Sequence, residues 1–168
     1  MNYNKIRKTD ISNGPGIRVS IFFQGCSFHC FNCFNKETWP FDKGKNFNDD
    51  VIDHILSLCD KSYISGISIL GGEPMHPKNI QGTLDLVKRF KHKFKDKTVW
   101  VWSGYLYDYI SKGEIINYID VLVDGKYEDS LKDPRLKYCG SSNQRVIDVK
   151  KSLKEGKIEL YKGDLISC

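Results

Sequence analysis

The sequence predicts an α/β fold in which about five to six parallel strands form a partial, open β/α barrel. Three observations lead to this prediction. Short apolar runs end repeatedly at loops rich in glycine or cysteine, and the segments between them carry apolar residues at helical spacing. A closed eight-fold barrel needs about 250 residues, whereas this chain has 168. In such a fold, functional residues lie on loops at the carboxyl ends of the strands.

The strands are indicated by short runs of β-branched and aromatic residues between turn signals. The first, at 17–24, follows a turn at 13–16 that contains two glycines and a proline. Residues 1–10 and 128–142 are polar and are predicted to be irregular. The remaining strands are predicted at 67–70, 98–102, 119–123, 145–149 and 158–161.

The clearest helix signal begins at Asn48, a candidate N-cap. Asp49 and Asp50 follow it in the first turn, where the helix dipole favours acidic side chains. Apolar residues at helical spacing continue the pattern to Cys59, which is therefore predicted to be a core residue. Further helices are predicted at 34–39, 77–94 and 106–112.

The composition indicates one domain over residues 1–168 and excludes several classes of protein. The formal net charge is +5, and the lysines are scattered rather than arranged in a stripe, which does not favour nucleic-acid binding. No run approaches the roughly 20 apolar residues of a membrane span. The N-terminus lacks a secretory signal pattern. We therefore expect a cytoplasmic protein whose cysteines are thiols rather than disulfides.

Three of the six cysteines, Cys26, Cys30 and Cys33, form a C-x3-C-x2-C motif directly after the first predicted strand. Thiolates this close in sequence can converge on one metal centre, and soft thiolate ligands select zinc, copper(I) or an iron–sulfur cluster. A [4Fe–4S] cluster held by three cysteines keeps one iron open for a small molecule.

Two other interpretations of the motif remain open at this point. His29 could complete a Cys3His zinc site, or the thiols could be reactive or simply buried. No second Cys or His pair follows at zinc-finger distance. Cys139 and Cys168 have no ligand-like spacing, so a second cluster is not expected.

The cysteine motif and the loop Gly71-Gly72-Glu73-Pro74, each at the end of a predicted strand, resemble those of the radical S-adenosylmethionine enzymes. Within that superfamily, five further segments resemble the glycyl-radical activating enzymes of anaerobic ribonucleoside-triphosphate reductase. These segments are 13–18, 35–39, 102–105, 123–126 and 140–144.

The resemblance implies a site as well as a fold. Cys26, Cys30 and Cys33 would hold a [4Fe–4S] cluster, and its open iron would chelate the amino and carboxylate groups of S-adenosylmethionine. Gly71 and Gly72 would let the backbone approach this cofactor, since no side chain intervenes.

The remaining expected contacts are polar or aromatic. Glu73 or nearby backbone carbonyls would accept a hydrogen bond from the methionine ammonium, and Lys126 would neutralise the methionine carboxylate. Ser103 or Asp124 would hydrogen-bond the ribose or the amino group. Asn32, Cys33 and Phe34 would contact the adenine, although many superfamily members have an aromatic residue where this chain has Asn32.

The implied reaction is the reductive cleavage of S-adenosylmethionine, followed by removal of a hydrogen atom from a glycine of the reductase, the protein substrate. The cofactors carry this chemistry, so no catalytic side chain is expected beyond the cluster and cofactor. A one-electron donor such as a flavodoxin-type protein would supply the electron. The turn at 13–16 is expected to contact the incoming glycine loop.

Three other functions are compatible with the sequence. The chain could activate another glycyl-radical enzyme, such as pyruvate formate-lyase. It could act on a small molecule, as a deazapurine synthase does. It could also be a metal-stabilised binding module without catalytic activity.

Overall fold

The computed structural model describes residues 1–163 and shows a mixed α/β protein built on one seven-stranded sheet. The strands are β1 (Asn2–Asp10), β2 (Ile17–Phe23), β3 (Lys45–Asn46), β4 (Ile64–Gly71), β5 (Thr98–Ser103), β6 (Val121–Asp124) and β7 (Arg145–Asp148). The α-helices are α1 (Asp49–Cys59), α2 (Ile80–Lys93), α3 (Tyr107–Ile110) and α4 (Val149–Glu155). Short 3₁₀ turns occupy Lys36–Thr38, Glu114–Tyr118 and Asp129–Leu131. Among residues 1–163, no helix is long and apolar enough to cross a membrane.

The strand order is β3-β1-β2-β4-β5-β6-β7, and the four central strands from β2 to β6 are parallel. The prediction of five to six parallel strands was therefore wrong in number. β7 pairs antiparallel to β6. A parallel pair would need a crossover helix that returns the chain to the starting end of β6, and the segment between the two strands contains no such helix. Within the described residues, β3 and β7 are the two edges of the sheet, which is not closed.

Two terminal segments also differ from prediction. Residues 1–10 are not irregular: residues 2–10 form β1, an antiparallel neighbour of β2 that is half-buried or exposed along its length except at the buried Asp10. The segment 158–161 contributes only a single bridge, between Leu160 and Ile147. Helix α4 was missed, although Asp148 caps its N-terminus and Gly156 ends it in a left-handed conformation. Cys168 lies outside the described residues.

The helix predictions were better. Asn48 caps α1 by accepting a hydrogen bond from the Val51 amide at 3.2 Å, and Cys59 is fully buried in the core, both as predicted. Helix α2 begins at Ile80 rather than at residue 77. The residues before it form a turn that ends at Asn79, whose buried side chain holds the loops at the carboxyl edge of the sheet.

The two faces of the sheet are packed differently because side chains alternate along each strand. One face carries an aliphatic core shared with the helices, including Ile21, Ile69 and Val101. On the other face lie Arg18 and Trp100, both fully buried. The Trp100 ring meets the rings of Tyr138 and Tyr161 edge-on at 4.9 and 5.0 Å.

The Arg18 guanidinium connects the first turn to the central strands. It donates to Ser68 Oγ at 2.7 Å, to the Ile67 carbonyl at 2.7 Å, and to the Thr98 hydroxyl and carbonyl, each at 2.9 Å. Burial lowers the pKa of Arg18 to about 10. Such a buried cation is tolerated only because each of its donors finds an acceptor.

The position of this turn bears on the expectation that it contacts the incoming glycine loop, which stays a prediction. The turn at 13–16 lies at the amino end of β2, whereas the cysteine loop follows the carboxyl end. Seven residues of strand separate them, a distance of roughly 20 Å. The turn therefore does not border the cysteines. Its Pro15 carbonyl accepts a hydrogen bond from Arg18, so the turn packs over the amino ends of the parallel strands.

We predict that Arg18→Met will lower the free energy of unfolding by about 3 kcal/mol, because it leaves several buried acceptors without donors. Urea unfolding followed by circular dichroism measures the change. Arg135→Met is the matched control, since Arg135 is exposed and its guanidinium pairs with Asp133 at the surface. A loss for Arg18→Met no larger than that for the control would contradict this account of the Arg18 network.

Candidate functional site

The carboxyl ends of β2, β4, β5 and β6 meet at one edge of the sheet, and the loops that follow them enclose a pocket of about 150 Å³. This edge is where parallel α/β proteins bind ligands. Eight of the residues singled out in the sequence line it: Cys26, Cys30, Cys33, Gly71, Gly72, Glu73, Ser103 and Lys126. Three do not: Asn32, Phe34 and Asp124.

The same backbone conformation recurs before each cysteine of the cysteine loop. Each cysteine follows a residue with a positive φ: Gly25 at 96°, His29 at 48° and Asn32 at 55°. Glycine adopts this left-handed conformation freely, and asparagine and histidine adopt it more readily than most residues. The loop is fixed to the segment after it, because the Gly25 and Cys26 amides donate to carbonyls of residues 38 and 39.

The thiols are partly buried, and burial governs their ionisation. It raises the pKa of Cys26 to about 11 and also raises that of Cys30, where nearby Lys126 opposes the shift. Cys33 Sγ accepts a weak hydrogen bond from the Asn35 amide at 3.4 Å. The raised pKa values of Cys26 and Cys30 favour their protonated forms, so metal binding would have to release these two protons.

The arrangement of the thiols bears on the type of centre. Among residues 1–163, no three Cys, His, Asp or Glu side chains are gathered closely enough to hold one metal ion. A [4Fe–4S] cluster has a different requirement, because each cysteine binds a separate iron. Three thiols spaced around one pocket are thus a suitable donor set for a cluster.

Glu73 joins the loops that follow β2, β4 and β5. Its backbone amide donates to the Gly25 carbonyl at 2.8 Å. Its buried carboxylate accepts from Ser103 Oγ, from the Gly104 amide and from the Met75 amide at 2.7 to 2.8 Å. Burial raises the pKa of Glu73 to about 7, although these three hydrogen bonds favour the ionised form.

The glycines of the site permit close packing between loops. A Cβ at Gly72 would lie 2.5 Å from the Gly25 carbonyl oxygen, and one at Gly104 would collide with the Phe28 ring. Gly71 has a φ of 106°, and a Cβ there would press on the backbone of β2. These positions are therefore restricted to glycine by the protein itself, before any ligand binds.

Two polar residues at the end of β6 have different environments. Lys126 is exposed at the pocket, and its Nζ lies 4.6 Å from the centre of the Phe28 ring. Asp124 is fully buried behind the pocket, where it accepts two hydrogen bonds from Arg145 at 2.9 and 2.5 Å. It also accepts from the Tyr107 amide at 2.7 Å, at the start of α3.

Asn32 and Phe34 point towards the segment after β6 rather than into the pocket. Asn32 Nδ2 donates to Asp129 at 3.0 Å, and the Tyr127 hydroxyl donates to the same carboxylate at 2.7 Å. The two hydrogen bonds lower the pKa of Asp129. The exposed Phe34 ring lies edge-on to Tyr127, with a centroid distance of 5.7 Å. Asn32, Tyr127 and Asp129 form what we call the loop latch.

Sequence reasoning gave no individual role to several lining residues, although six of them lie in the segments that carry the resemblance. Phe28 and Asn35 lie in or beside the cysteine motif, so their proximity could have been inferred from the spacing. Gln144 reaches the pocket because β7 returns antiparallel to β6, and its side chain donates to the Gly125 carbonyl at 2.9 Å. The remaining residues that line the pocket are Trp39, Leu70, Trp102, Gly104, Gly125 and Tyr127.

Comparison with known proteins agrees with this geometry. A sequence model of the family described as "4Fe-4S single cluster domain" matches residues 12–147. Three curated relatives carry the name anaerobic ribonucleoside-triphosphate reductase-activating protein. The one from Enterobacteria phage T4 is 40% identical over 87% of this chain and 93% of the relative. The one from Escherichia coli K12 is 41% identical over 87% and 97%.

The third relative, from Vibrio cholerae, is 39% identical over 86% of this chain and 96% of its own. Each match thus spans most of both proteins, and the resemblance inferred from the motifs is confirmed. The chain belongs to the 4Fe-4S single cluster domain family and, within it, to the family of the anaerobic ribonucleoside-triphosphate reductase-activating proteins.

Proposed function

We propose that this chain is a radical S-adenosylmethionine enzyme that generates a glycyl radical on an anaerobic ribonucleoside-triphosphate reductase. The observation that carries this proposal is the pocket in which three cysteine thiols, the Gly71–Glu73 loop and Lys126 come together. The names of relatives that match nearly nine-tenths of the chain supply the protein substrate.

Cys26, Cys30 and Cys33 would hold the [4Fe–4S] cluster. No fourth cysteine lines the pocket among the described residues, which is consistent with one iron left open. When bound, the cluster and S-adenosylmethionine supply the reductive carbon–sulfur cleavage and the radical that removes a hydrogen atom from a glycine. The protein contributes by binding, orienting and shielding these groups.

The polar residues of the pocket suit the methionine end of the cofactor. Glu73 offers a buried carboxylate whose position is fixed by three donors, and an ammonium group beside it would favour its ionised form. Among the described residues that line the pocket, Lys126 is the cation available for the methionine carboxylate. Ser103 lines the pocket; its hydroxyl donates to Glu73 and accepts from the Tyr105 amide, which leaves one lone pair for a further hydrogen bond.

Three residues take a different proposed role from the one that the resemblance implied. Asp124 is occupied by Arg145 and the Tyr107 amide, so we propose that it positions Lys126 rather than contacting the ribose. Asn32 and Phe34 contact the segment after β6, so we propose that they fix the cysteine loop. Of residues 32–34, Cys33 alone lines the pocket and is left for contact with the adenine.

The proposal includes the setting in which the enzyme works. All five described cysteines are free thiols, which supports a reducing compartment such as the cytoplasm. A one-electron donor of the flavodoxin type would supply the electron. The four parallel strands and the short chain support a sheet curved as an open partial barrel.

The function is tested by anaerobic incubation of the iron-loaded protein with the reductase, S-adenosylmethionine and dithionite. We expect electron paramagnetic resonance to show a glycine-centred radical on the reductase. Cys30→Ala should abolish both the radical and 5′-deoxyadenosine formation, whereas Cys139→Ala, which changes a thiol outside the pocket, should retain both. Turnover of S-adenosylmethionine without any radical on the reductase would point instead to a small-molecule substrate.

A second prediction concerns the left-handed turn at Asn32. Asn32→Gly keeps this backbone conformation but loses the exposed hydrogen bond of the loop latch, so we expect only a small loss of bound iron. Asn32→Val forces a β-branched residue to a positive φ, at a cost of roughly 1–2 kcal/mol, and should lower the iron bound per chain. Iron analysis after anaerobic gel filtration measures both. Equal losses in the two variants would assign the effect to the loop latch instead.

A third prediction concerns Glu73 in the metal-free protein. Glu73→Gln places an amide group against donors that need an acceptor, so we expect a loss of about 1–3 kcal/mol in the free energy of unfolding. Urea unfolding measures it. Glu37→Gln is the control, because Glu37 is half-exposed and pairs only loosely with Lys5 at 3.7 Å. If the two substitutions cost the same, Glu73 does not join the loops as described.

A further inference from the structure

A second concavity, which we call the outer hollow, lies beside the cysteine loop. Its volume is about 510 Å³, and it shares only Cys26 and Trp39 with the pocket. Its other lining residues are Ser27, His29, Lys36, Pro40 and Phe41. Cys26, a proposed cluster ligand, can thus be approached from two sides.

The floor of the outer hollow is apolar and ordered by ring contacts. The His29 ring stacks on Trp39, with centroids 4.7 Å apart and planes 28° apart. Phe41 packs against Gly25, where a Cβ would collide with its ring. The floor is therefore held by the same loop that presents Cys26.

One lysine lines the outer hollow and a second lies beside it, and we call these two lysines the rim. Lys36 lines the hollow, and Lys78 Nζ lies 4.9 Å from the centre of the Phe41 ring. Among the described residues, no Asp or Glu lines it. An apolar floor with a cationic rim is complementary to an acidic protein surface that has an apolar centre.

The lining of the outer hollow indicates whether the reductase or an electron donor binds there. None of the residues proposed to hold the methionine end of S-adenosylmethionine lines it, and these are Gly71, Gly72, Glu73, Ser103 and Lys126. The reductase must bring its glycine to that cofactor and so must approach the pocket. An electron donor needs only the cluster, and a donor at the outer hollow leaves the pocket free.

We propose that the outer hollow is the docking site of an acidic one-electron carrier protein of the flavodoxin type. This inference rests on the proposed function, because it needs a cluster held by Cys26. In the docked complex the carrier is oxidised by one electron and the cluster is reduced by one electron. No covalent bond forms or breaks in this step.

The test compares two double variants of the cluster-loaded protein. Lys36→Glu with Lys78→Glu reverses the rim, and Lys112→Glu with Lys154→Glu makes the same change in charge at exposed lysines outside both concavities. Binding of a purified acidic flavodoxin is measured by surface plasmon resonance under anaerobic conditions. At low ionic strength we expect the rim variant to bind about tenfold more weakly and the control to change less than twofold.

Enzyme assays separate this inference from the proposed function. With dithionite as reductant, both double variants should form 5′-deoxyadenosine at the unaltered rate, because dithionite needs no docking site. With reduced flavodoxin, the rim variant alone should be slow. Unchanged flavodoxin binding in the rim variant would overturn the inference, as would weakened binding of the reductase instead. Absence of dithionite-driven turnover in the unmodified protein would refute the proposed function itself.

Discussion

The buried carboxylate of Glu73 is the interaction on which the site depends. Loops that follow three different strands must meet around a pocket, yet loops carry backbone groups that need partners when they are buried. Glu73 supplies acceptors to the loops after β4 and β5, and its own amide donates to the loop after β2. Asn79 completes the arrangement by donating to carbonyls of Gln24 and Glu73.

The amino ends of the parallel strands carry residues that stabilise the fold, and the carboxyl ends carry the residues of the candidate site. At the amino edge, Arg18 is fully buried and satisfied by the turn at 13–16 and by the neighbouring strands. At the carboxyl edge, partly exposed thiols and the exposed cation Lys126 surround a pocket. This division is general in β/α proteins, where residues at the amino edge serve stability and residues at the carboxyl edge serve the reaction.

The sequence predicted the features that depend on local patterns. The parallel strands, the cap at Asn48, the buried Cys59 and the position of the cysteine loop all follow from periodicity or turn chemistry. Strand β1 was missed because its alternation is weak: it lies second from the edge of the sheet, next to the two-residue strand β3, and most of its side chains are polar and half-buried or exposed. The direction of β7 could not be inferred either, since it depends on the path of the preceding loop.

Within the site, too, the sequence did not predict features that depend on how distant segments pair. Asp124 and Lys126 are two residues apart, and the sequence favoured both as cofactor contacts. The structure separates them, because Asp124 faces Arg145 on a strand whose antiparallel pairing was not foreseen. Asn32 is a related case: the resemblance suggested contact with the adenine at a position where many members have an aromatic residue, whereas the backbone here needs a residue that tolerates a positive φ.

The distribution of exposed apolar side chains supports a macromolecular substrate. Phe31 and Phe34 are 75% and 69% exposed on the cysteine loop, and Leu106 and Tyr109 are 52% and 55% exposed after β5. Both groups lie in segments that follow the carboxyl ends of parallel strands. Single exposed apolar residues are ordinary, but several at the edge that holds the pocket are typical of a protein interface. A small-molecule enzyme would gain nothing from them, whereas an activating enzyme must hold a partner while a hydrogen atom moves.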